Sequence, residues 1–160
     1  TFDRLVDSLR QVCPVAEAEG VQLAIEGHVL SPLDSAARVA ELLAAVASPS
    51  LRFNVDPVNF IGTVRDVHDT RRVINELFDV LGSHTAAGHI KDCALGNALV
   101  VHIEEVTPGE GTLDLPLYLR RFAASCPGGY LLIEHLPDAA VPAARVAVCR
   151  AAERAGLAFE

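Results

Sequence analysis

The stretch VQLAIEGH, residues 21–28, is the part of the sequence from which the fold can be inferred. Val21, Leu23 and Ile25 alternate with other side chains as in a half-buried strand, and the pattern ends on the carboxylate of Glu26. The stretch YLLIEHLP, residues 130–137, has the same form and ends its apolar run on Glu134. One strand that ends on a glutamate is unremarkable, so the other strands have to be compared with these two.

Helical and strand patterns alternate from one end of the chain to the other. The apolar spacing predicts helices over about 2–19, 35–47, 70–81, 113–125 and 142–156. Strands are predicted between them, at 21–26, 51–56, 86–92 and 129–134, with an extra strand within 98–106. Pro14 should kink or interrupt the first helix, and Asp34 or Ser35 should cap the second. We therefore expect a single α/β domain over residues 1–160, built on a parallel sheet.

Composition and charge exclude several classes of function. The chain has 160 residues, of which 51% are hydrophobic, enough for one well-buried core. A net charge of −8 argues against nucleic acid and against an anionic membrane surface as partners. The sequence contains no apolar run near the length of a membrane span. Its four cysteines are scattered without a C-x-x-C pair, which predicts reduced thiols and a cytoplasmic location.

Two more strands carry a ligand-type side chain near their carboxyl ends. LRFNVD ends on Asp56, and GHIKD places His89 near the end of its strand. All carboxyl ends of a parallel sheet lie on one side, where the active sites of α/β proteins are found. Glu26, Asp56, His89 and Glu134 should therefore converge there. Taken one at a time, each of these residues is more often a helix cap, a loop residue or a structural histidine, but four on corresponding strand ends favour a site.

Three converging carboxylates repel one another unless a cation neutralises them. Three carboxylates and one imidazole form a donor set rich in oxygen, which suits Mn²⁺, Mg²⁺ or Co²⁺ better than a structural Zn²⁺. Four protein ligands leave open positions for water or for two substrate oxygens. The sequence therefore predicts a divalent-metal site, with Zn²⁺ kept open as an alternative ion.

At these residues the chain resembles the C-terminal part of a xylose isomerase-like TIM barrel. The resemblance runs through LAIEGH, LRFNVDPVN, GHIKD, PGEGTLD and LLIEHL, in that order and spacing. It implies that the chain supplies roughly the C-terminal half of a (β/α)8 barrel, with Glu26, Asp56, His89 and Glu134 as the metal ligands. Because a complete barrel needs about 200 residues or more, we expect upstream sequence or, as the alternative, pairing of two chains as a homo-oligomer.

The resemblance also implies an activity, namely isomerisation or epimerisation of a small sugar or another hydroxy-carbonyl compound. The metal would stabilise an enediolate, while one of Glu26 and Glu134 removes a proton and the other returns it. Lys91 and His28 are candidate substrate-binding residues, although a lysine at a strand end often points to solvent. Asp92 is expected to be structural, and PGEG could form a lid turn. Secondary site candidates are His102, Glu104, Glu105 and Glu110.

Other activities of this superfamily stay open. The alternatives are a metal-dependent lyase, such as an inosose dehydratase-like enzyme, and a barrel that binds a sugar or a partner without turnover. Asn59 stands where several members have a histidine, and GHIKDCALGN lacks the arginine of ketose 3-epimerases. A DNA-repair enzyme of the endonuclease IV type would need further metal-binding histidines and a cationic surface, which an acidic chain does not offer.

Overall fold

The computed structural model describes residues 1–158. Its helices are α1 Phe2–Ala18, α2 Ala36–Val46, α3 Val64–His68, α4 Thr70–Leu81, α5 Leu115–Ser125 and α6 Val141–Ala155. Its strands are β1 Leu23–Ile25, β2 Leu51–Val55, β3 Thr85–Ile90, β4 Asp92–Leu95, β5 Ile103–Val106 and β6 Tyr130–Ile133. Short 3₁₀ turns lie at Val58–Phe60, Gly82–His84 and Asp138–Ala140.

Four of the strands form one parallel sheet in the order β1-β2-β3-β6, which confirms the mixed α/β prediction. Parallel neighbours need long crossover connections, and here helices provide them. The apolar residues of the central strand β2 alternate toward the helices, where Leu51, Phe53 and Val55 are buried. They join side chains of α2, α4, α5 and α6 in one hydrophobic core. The carboxyl ends of the four strands therefore lie together on one side of the sheet.

Local signals explain where the helices begin. The side chain of Ser35 accepts a hydrogen bond from the backbone N–H of Arg38, so Ser35 caps α2. Asp114 caps α5 through the N–H of Leu117, with proline in the first turn.

The predicted interruption of α1 at Pro14 is wrong, because the helix continues through it. Pro14 leaves the carbonyl of Arg10 without its intrahelical donor, and because Arg10 is exposed, water can hydrate that carbonyl.

The segment between β3 and α5 differs most from its prediction. The residues expected to prolong the third strand instead begin a separate antiparallel hairpin, β4–β5, in which Asp92 pairs with Val106 and Leu95 with Ile103. The extra strand predicted within 98–106 is present but shorter. The hairpin follows directly on the site end of β3. Within residues 1–158, none of the helices is both long and apolar enough to cross a bilayer.

Candidate metal centre

Four side chains from the four parallel strands meet at the carboxyl end of the sheet. Glu26 directly follows β1, Asp56 follows β2, His89 lies in β3 and Glu134 follows β6. Each offers one ligand atom, and these four atoms lie within 4.8 Å of one another. The convergence expected from the strand ends is present, and it arises because all four strands run in the same direction.

The carboxylate of Asp56 is the most deeply buried group of the cluster, with 0% of its side chain exposed. Its Oδ1 accepts the backbone N–H groups of Val58 at 3.0 Å and Asn59 at 3.4 Å. Among the residues that the structure describes, Oδ2 accepts no well-directed hydrogen bond, although it forms an ion pair with Lys91. Burial raises the pKa of Asp56 to about 6, against the opposing effect of the Lys91 charge. One oxygen is thus fixed by the backbone and the other is left for a cation.

The imidazole of His89 lies between the two glutamates. Its Nδ1 is 3.1 Å from Glu26 Oε1 and 3.0 Å from Glu134 Oε1. The side-chain amide of Asn54, on the neighbouring strand, lies 3.3 Å from Nδ1 and 3.1 Å from Nε2. Sequence reasoning found no group to orient this imidazole, and Asn54 is the group that the structure supplies. Asn54 shares a face of β2 with Asp56, so its alternation with Phe53 and Val55 was the available signal.

Lys91 points into the cluster and not to solvent. Only 4% of its side chain is exposed, and Nζ lies 3.0 Å from Asp56 Oδ2 and 2.6 Å from Glu134 Oε1. Burial acts to lower the pKa of Lys91, but the hydrogen bond and charge of Glu134 and the charge of Asp56 outweigh it, so that the pKa lies above its usual value. The pKa of Glu134 lies below its usual value, since hydrogen bonding from Lys91 and its charge outweigh the effect of burial. Both groups are therefore ionised at neutral pH.

The side-chain amide of Asn59 connects the Lys91 ammonium to Glu26. Its Nδ2 donates to Glu26 Oε1 at 2.9 Å, and its Oδ1 accepts from Lys91 Nζ at 3.1 Å. From the sequence Asn59 was noted only as a departure from related chains, and nothing in the local pattern indicates that its amide joins two strands.

Tyr118 contacts the backbone of the two central strands next to the cluster. It lies fully buried in α5, and its hydroxyl is 2.9 Å from the carbonyl oxygen of His89 and 3.1 Å from that of Val55. One hydroxyl proton serves one of these carbonyls at a time, so the group bridges the site ends of β2 and β3. Gly88 makes room for it, because a Cβ at that position would lie 2.6 Å from the Tyr118 oxygen. No sequence motif pointed to this tyrosine.

The remaining candidates lie around the cluster. His28 is in the loop after β1, where its Nδ1 accepts the N–H of Leu30 at 3.0 Å. Glu105, on β5, pairs with Nδ1 of His135 at 3.1 Å. Nε2 of His135 in turn lies 3.9 Å from Glu134 Oε1, so this histidine borders the site. His102, Glu104 and Glu110 are exposed and lie outside the four-residue cluster.

Asp92 fixes the loop that contains the PGEG turn. Its Oδ2 accepts the N–H groups of Gly109 at 2.9 Å and Gly111 at 3.1 Å. Its Oδ1 accepts the N–H groups of Cys93 and Leu113, each at 2.9 Å. The expectation that Asp92 is structural agrees with these four bonds. They tie the PGEG turn to β4, so this turn is anchored at its base.

The donor set fits a small divalent cation. Around one octahedral ion with bonds of about 2.1 Å, adjacent donor atoms lie about 3 Å apart and opposite ones about 4.2 Å apart. The separations of His89 Nδ1 from Glu26, Glu134 and Asp56 oxygens are 3.1, 3.0 and 4.0 Å, in that order. The buried Oδ2 of Asp56 accepts no well-directed hydrogen bond in the described chain, and its ion pair with Lys91 leaves a lone pair for a second cation. The residues present thus form a candidate centre for a divalent metal ion.

Comparison with known proteins agrees with this architecture. The sequence model of the xylose isomerase-like TIM barrel family matches residues 1–151. No curated protein matches the chain.

Three solved structures are similar in fold. A xylose isomerase domain protein from Planctomyces limnophilus is 21% identical with a TM-score of 0.75, over 96% of this chain and 53% of that one. A xylose isomerase-like TIM barrel protein from Mycobacterium smegmatis, solved in complex with magnesium, is 13% identical with a TM-score of 0.71, over 94% and 49%. The probable 3-DHS dehydratase AsbF from Bacillus anthracis is 15% identical with a TM-score of 0.69, over 89% and 53%. The chain therefore spans about half the length of the structures that it matches.

Proposed function

Since its match extends over residues 1–151, the chain belongs to the xylose isomerase-like TIM barrel family, and we propose that it carries the metal and proton-transfer residues of a divalent-metal-dependent isomerase or epimerase. The substrate class is a small sugar or another hydroxy-carbonyl compound. The observation that carries the proposal is the convergence of Glu26, Asp56, His89 and Glu134 within 4.8 Å at the carboxyl ends of four parallel strands. The chain's four free cysteines, all in the described part, support a reducing, cytoplasmic compartment.

The four ligands divide into holders and proton carriers by their exposure. The Asp56 side chain is fully buried and bonded to the backbone, so it holds position and has no access to a substrate. The side chains of Glu26 and Glu134 are 33% and 22% exposed at the open end of the sheet. A substrate entering there meets two carboxylates from different strands. One removes the proton next to the carbonyl and the other returns it.

Neighbouring residues set the protonation state of Glu134 and the orientation of Glu26. The lowered pKa of Glu134 keeps it ionised at neutral pH and able to accept a proton. Asn59 fixes Glu26 Oε1 through its amide, which limits the rotation of that carboxylate. A divalent cation held by the four ligands would supply Lewis-acid stabilisation for negative charge on the substrate oxygens. Magnesium in the similar Mycobacterium smegmatis protein supports Mg²⁺ as one candidate, beside Mn²⁺, Co²⁺ and Zn²⁺.

A lyase is the second candidate. Dehydration of a hydroxy-carbonyl compound begins with the same loss of a proton next to the carbonyl, so the same pair of glutamates serves it. The fold similarity to a probable 3-DHS dehydratase supports keeping this alternative. A barrel that binds a sugar or a partner without turnover is the third. DNA repair of the endonuclease IV type is disfavoured by the net charge of −8.

The test combines metal binding with exchange of substrate hydrogen. We expect the protein to bind Mn²⁺ or Mg²⁺ by calorimetry and to incorporate deuterium from D₂O next to the carbonyl of at least one sugar in a broad ketose and aldose panel. Glu134→Gln should lower this incorporation at least about 10²-fold, the usual contribution of a general base. Glu105→Gln is the matched control, because Glu105 lies near the site but outside the cluster.

Three outcomes separate the alternatives. Loss of water from the substrate, with formation of an unsaturated carbonyl product, would assign the lyase. Metal binding with no deuterium incorporation and no product across the panel would assign a binding barrel. Absence of binding for all four ions would overturn the metal site itself.

A further inference from the structure

We propose that Lys91 is the counter-cation of this metal centre, a charge that weakens metal binding and makes the loaded centre electrically neutral. This inference rests on the proposed function, and it gives Lys91 a different role from substrate binding. Lys91 is the only lysine in the chain, since the other twelve of its 13 basic residues are arginines. That single lysine lies in the one cluster described above.

The ammonium group of Lys91 is surrounded by three oxygen atoms of the cluster and its neighbour Asn59. Nζ lies 3.0 Å from Asp56 Oδ2, 2.6 Å from Glu134 Oε1 and 3.1 Å from Asn59 Oδ1. Asn59 Oδ1 accepts a hydrogen bond from the ammonium, and the two carboxylate oxygens form ion pairs with it. With 4% exposure the side chain has no route to solvent without disrupting the cluster. Lys91 therefore stays beside Asp56, Glu134 and Asn59, and its charge acts on the cluster.

The ammonium uses oxygens that also face the metal position. Glu134 Oε1 lies 3.0 Å from His89 Nδ1, and Asp56 Oδ2 lies 4.0 Å from the same nitrogen. Each carboxylate oxygen has lone pairs for two partners, so an ammonium and a metal ion can both be accommodated. Their positive charges repel each other across the shared oxygens. Lys91 thus lowers the affinity of the centre for its ion while holding the ligands in place without one.

Lys91 also sets the formal charge of the centre with a divalent ion bound. Three carboxylates, a neutral imidazole, a divalent ion and the Lys91 ammonium add to zero formal charge. Without Lys91 the same centre would be negative by one charge. Proton removal from the substrate leaves negative charge on its oxygens, and a neutral centre stabilises that charge better than an anionic one. Asn59 fixes the arrangement, because its uncharged amide binds both Glu26 and Lys91.

The inference predicts opposite effects on binding and turnover when the charge is removed. Lys91→Met and Lys91→Gln should bind Mn²⁺ at least tenfold more tightly by calorimetry, while deuterium incorporation at saturating Mn²⁺ falls at least tenfold. Lys91→Gln keeps hydrogen-bond donors for Asp56 and Glu134, so it tests charge if Lys91→Met does not fold. Arg71→Met, which removes one charge from an exposed pair with Asp114, should leave Mn²⁺ affinity unchanged within twofold.

A second readout needs no turnover. Because the chain has one lysine, ¹⁵N-lysine labelling gives one side-chain ammonium resonance, and saturating Mg²⁺ should shift it. The role of Lys91 would be overturned if folded Lys91→Gln bound Mn²⁺ no more tightly than the wild type. It would also be overturned if Mg²⁺ left the ammonium resonance unshifted. Either result would leave the proposed function intact. A wild-type protein that binds no metal would overturn both.

Discussion

At the scale of single residues, Asp56 shows how burial prepares a ligand. Its Oδ1 is satisfied by backbone N–H groups of the turn that follows β2, while Oδ2 faces the centre. A carboxylate in this position loses its hydration, and the charge of Lys91 compensates for this loss only in part, so the pKa of Asp56 is raised. The proton and a metal ion therefore compete for the same oxygen, and pH decides which of the two is bound.

Metal affinity should consequently rise with pH across the titration of Asp56. Its pKa is raised from 3.8 to about 6 in the folded chain, so between these values the folded chain keeps a proton that the unfolded chain has released. The stability of the metal-free chain therefore falls as pH rises through that interval. Metal binding needs the carboxylate form, so below pH 6 the affinity should drop by roughly tenfold per pH unit, with one proton released on binding.

Calorimetry with Mg²⁺ at pH 5, 6 and 7, in buffers of different ionisation enthalpy, measures both the affinity and the released proton. An affinity that is constant between pH 5 and 7 would contradict the raised pKa of Asp56. The variant Asp56→Asn is the control, because its amide cannot release the proton and should lose the pH dependence together with most of the affinity.

At the scale of secondary-structure elements, helices and strands were predictable where local chemistry dominates. The helix expected over 70–81 has those bounds, because Asp69 caps its start and its apolar residues at 73, 74, 77, 78 and 81 are all buried. The strand expected over 21–26 shrinks to Leu23–Ile25, since β1 pairs along its length with only one neighbour in the described chain. Strand pairing is a property of two segments, and one segment's pattern does not contain it.

The candidate site divides in the same way. The convergence of its four candidate ligands could be predicted, because a parallel sheet brings equivalent strand ends together whatever the loops do. The roles of Asn54, Asn59 and Tyr118 could not be predicted, because they act through contacts between different elements. Lys91 was a candidate from the sequence, but its pairing with Asp56 and Glu134 was not foreseen. The β4–β5 hairpin was only half predicted, since the start of β4 at Asp92 depends on the four backbone donors that converge on that carboxylate.

Removing the charge of Asp92 should loosen the hairpin base. We expect Asp92→Asn to lower the free energy of unfolding by about 2 kcal/mol, because an amide replaces one of two oxygens that each accept two backbone N–H groups. Hydrogen exchange at Gly109, Gly111 and Leu113 should accelerate more than exchange in α2. Asp79→Asn is the control, since its exposed pair with Arg121 is expected to contribute under about 1 kcal/mol. Equal effects of the two substitutions on stability would refute the anchoring role of Asp92.

At the scale of the whole molecule, the sheet has two unpaired margins. Within residues 1–158, the outer edges of β1 and β6 pair with no other strand. On the site face of β6, Tyr130 and Leu132 are 78% and 55% exposed, whereas the interior of a closed barrel would cover them. The Mycobacterium smegmatis and Planctomyces limnophilus structures, which match nearly all of this chain, are about twice as long. We therefore expect further βα units, or a second copy of the chain, to cover this face in a closed barrel.

Substitution of Leu132 measures whether that face is covered. In the 160-residue chain alone, Leu132→Asn should change the free energy of unfolding by less than about 0.5 kcal/mol, because an exposed leucine loses little on replacement. Leu119→Asn, in the buried face of α5, should cost about 3 kcal/mol or more in the same denaturant experiment. If Leu132→Asn lowers the free energy of unfolding as much as Leu119→Asn, the site face of β6 is already buried in solution. Sedimentation equilibrium of the same samples then distinguishes a dimer, in which two half-sheets close each other, from a monomer whose β6 face is covered by its own chain.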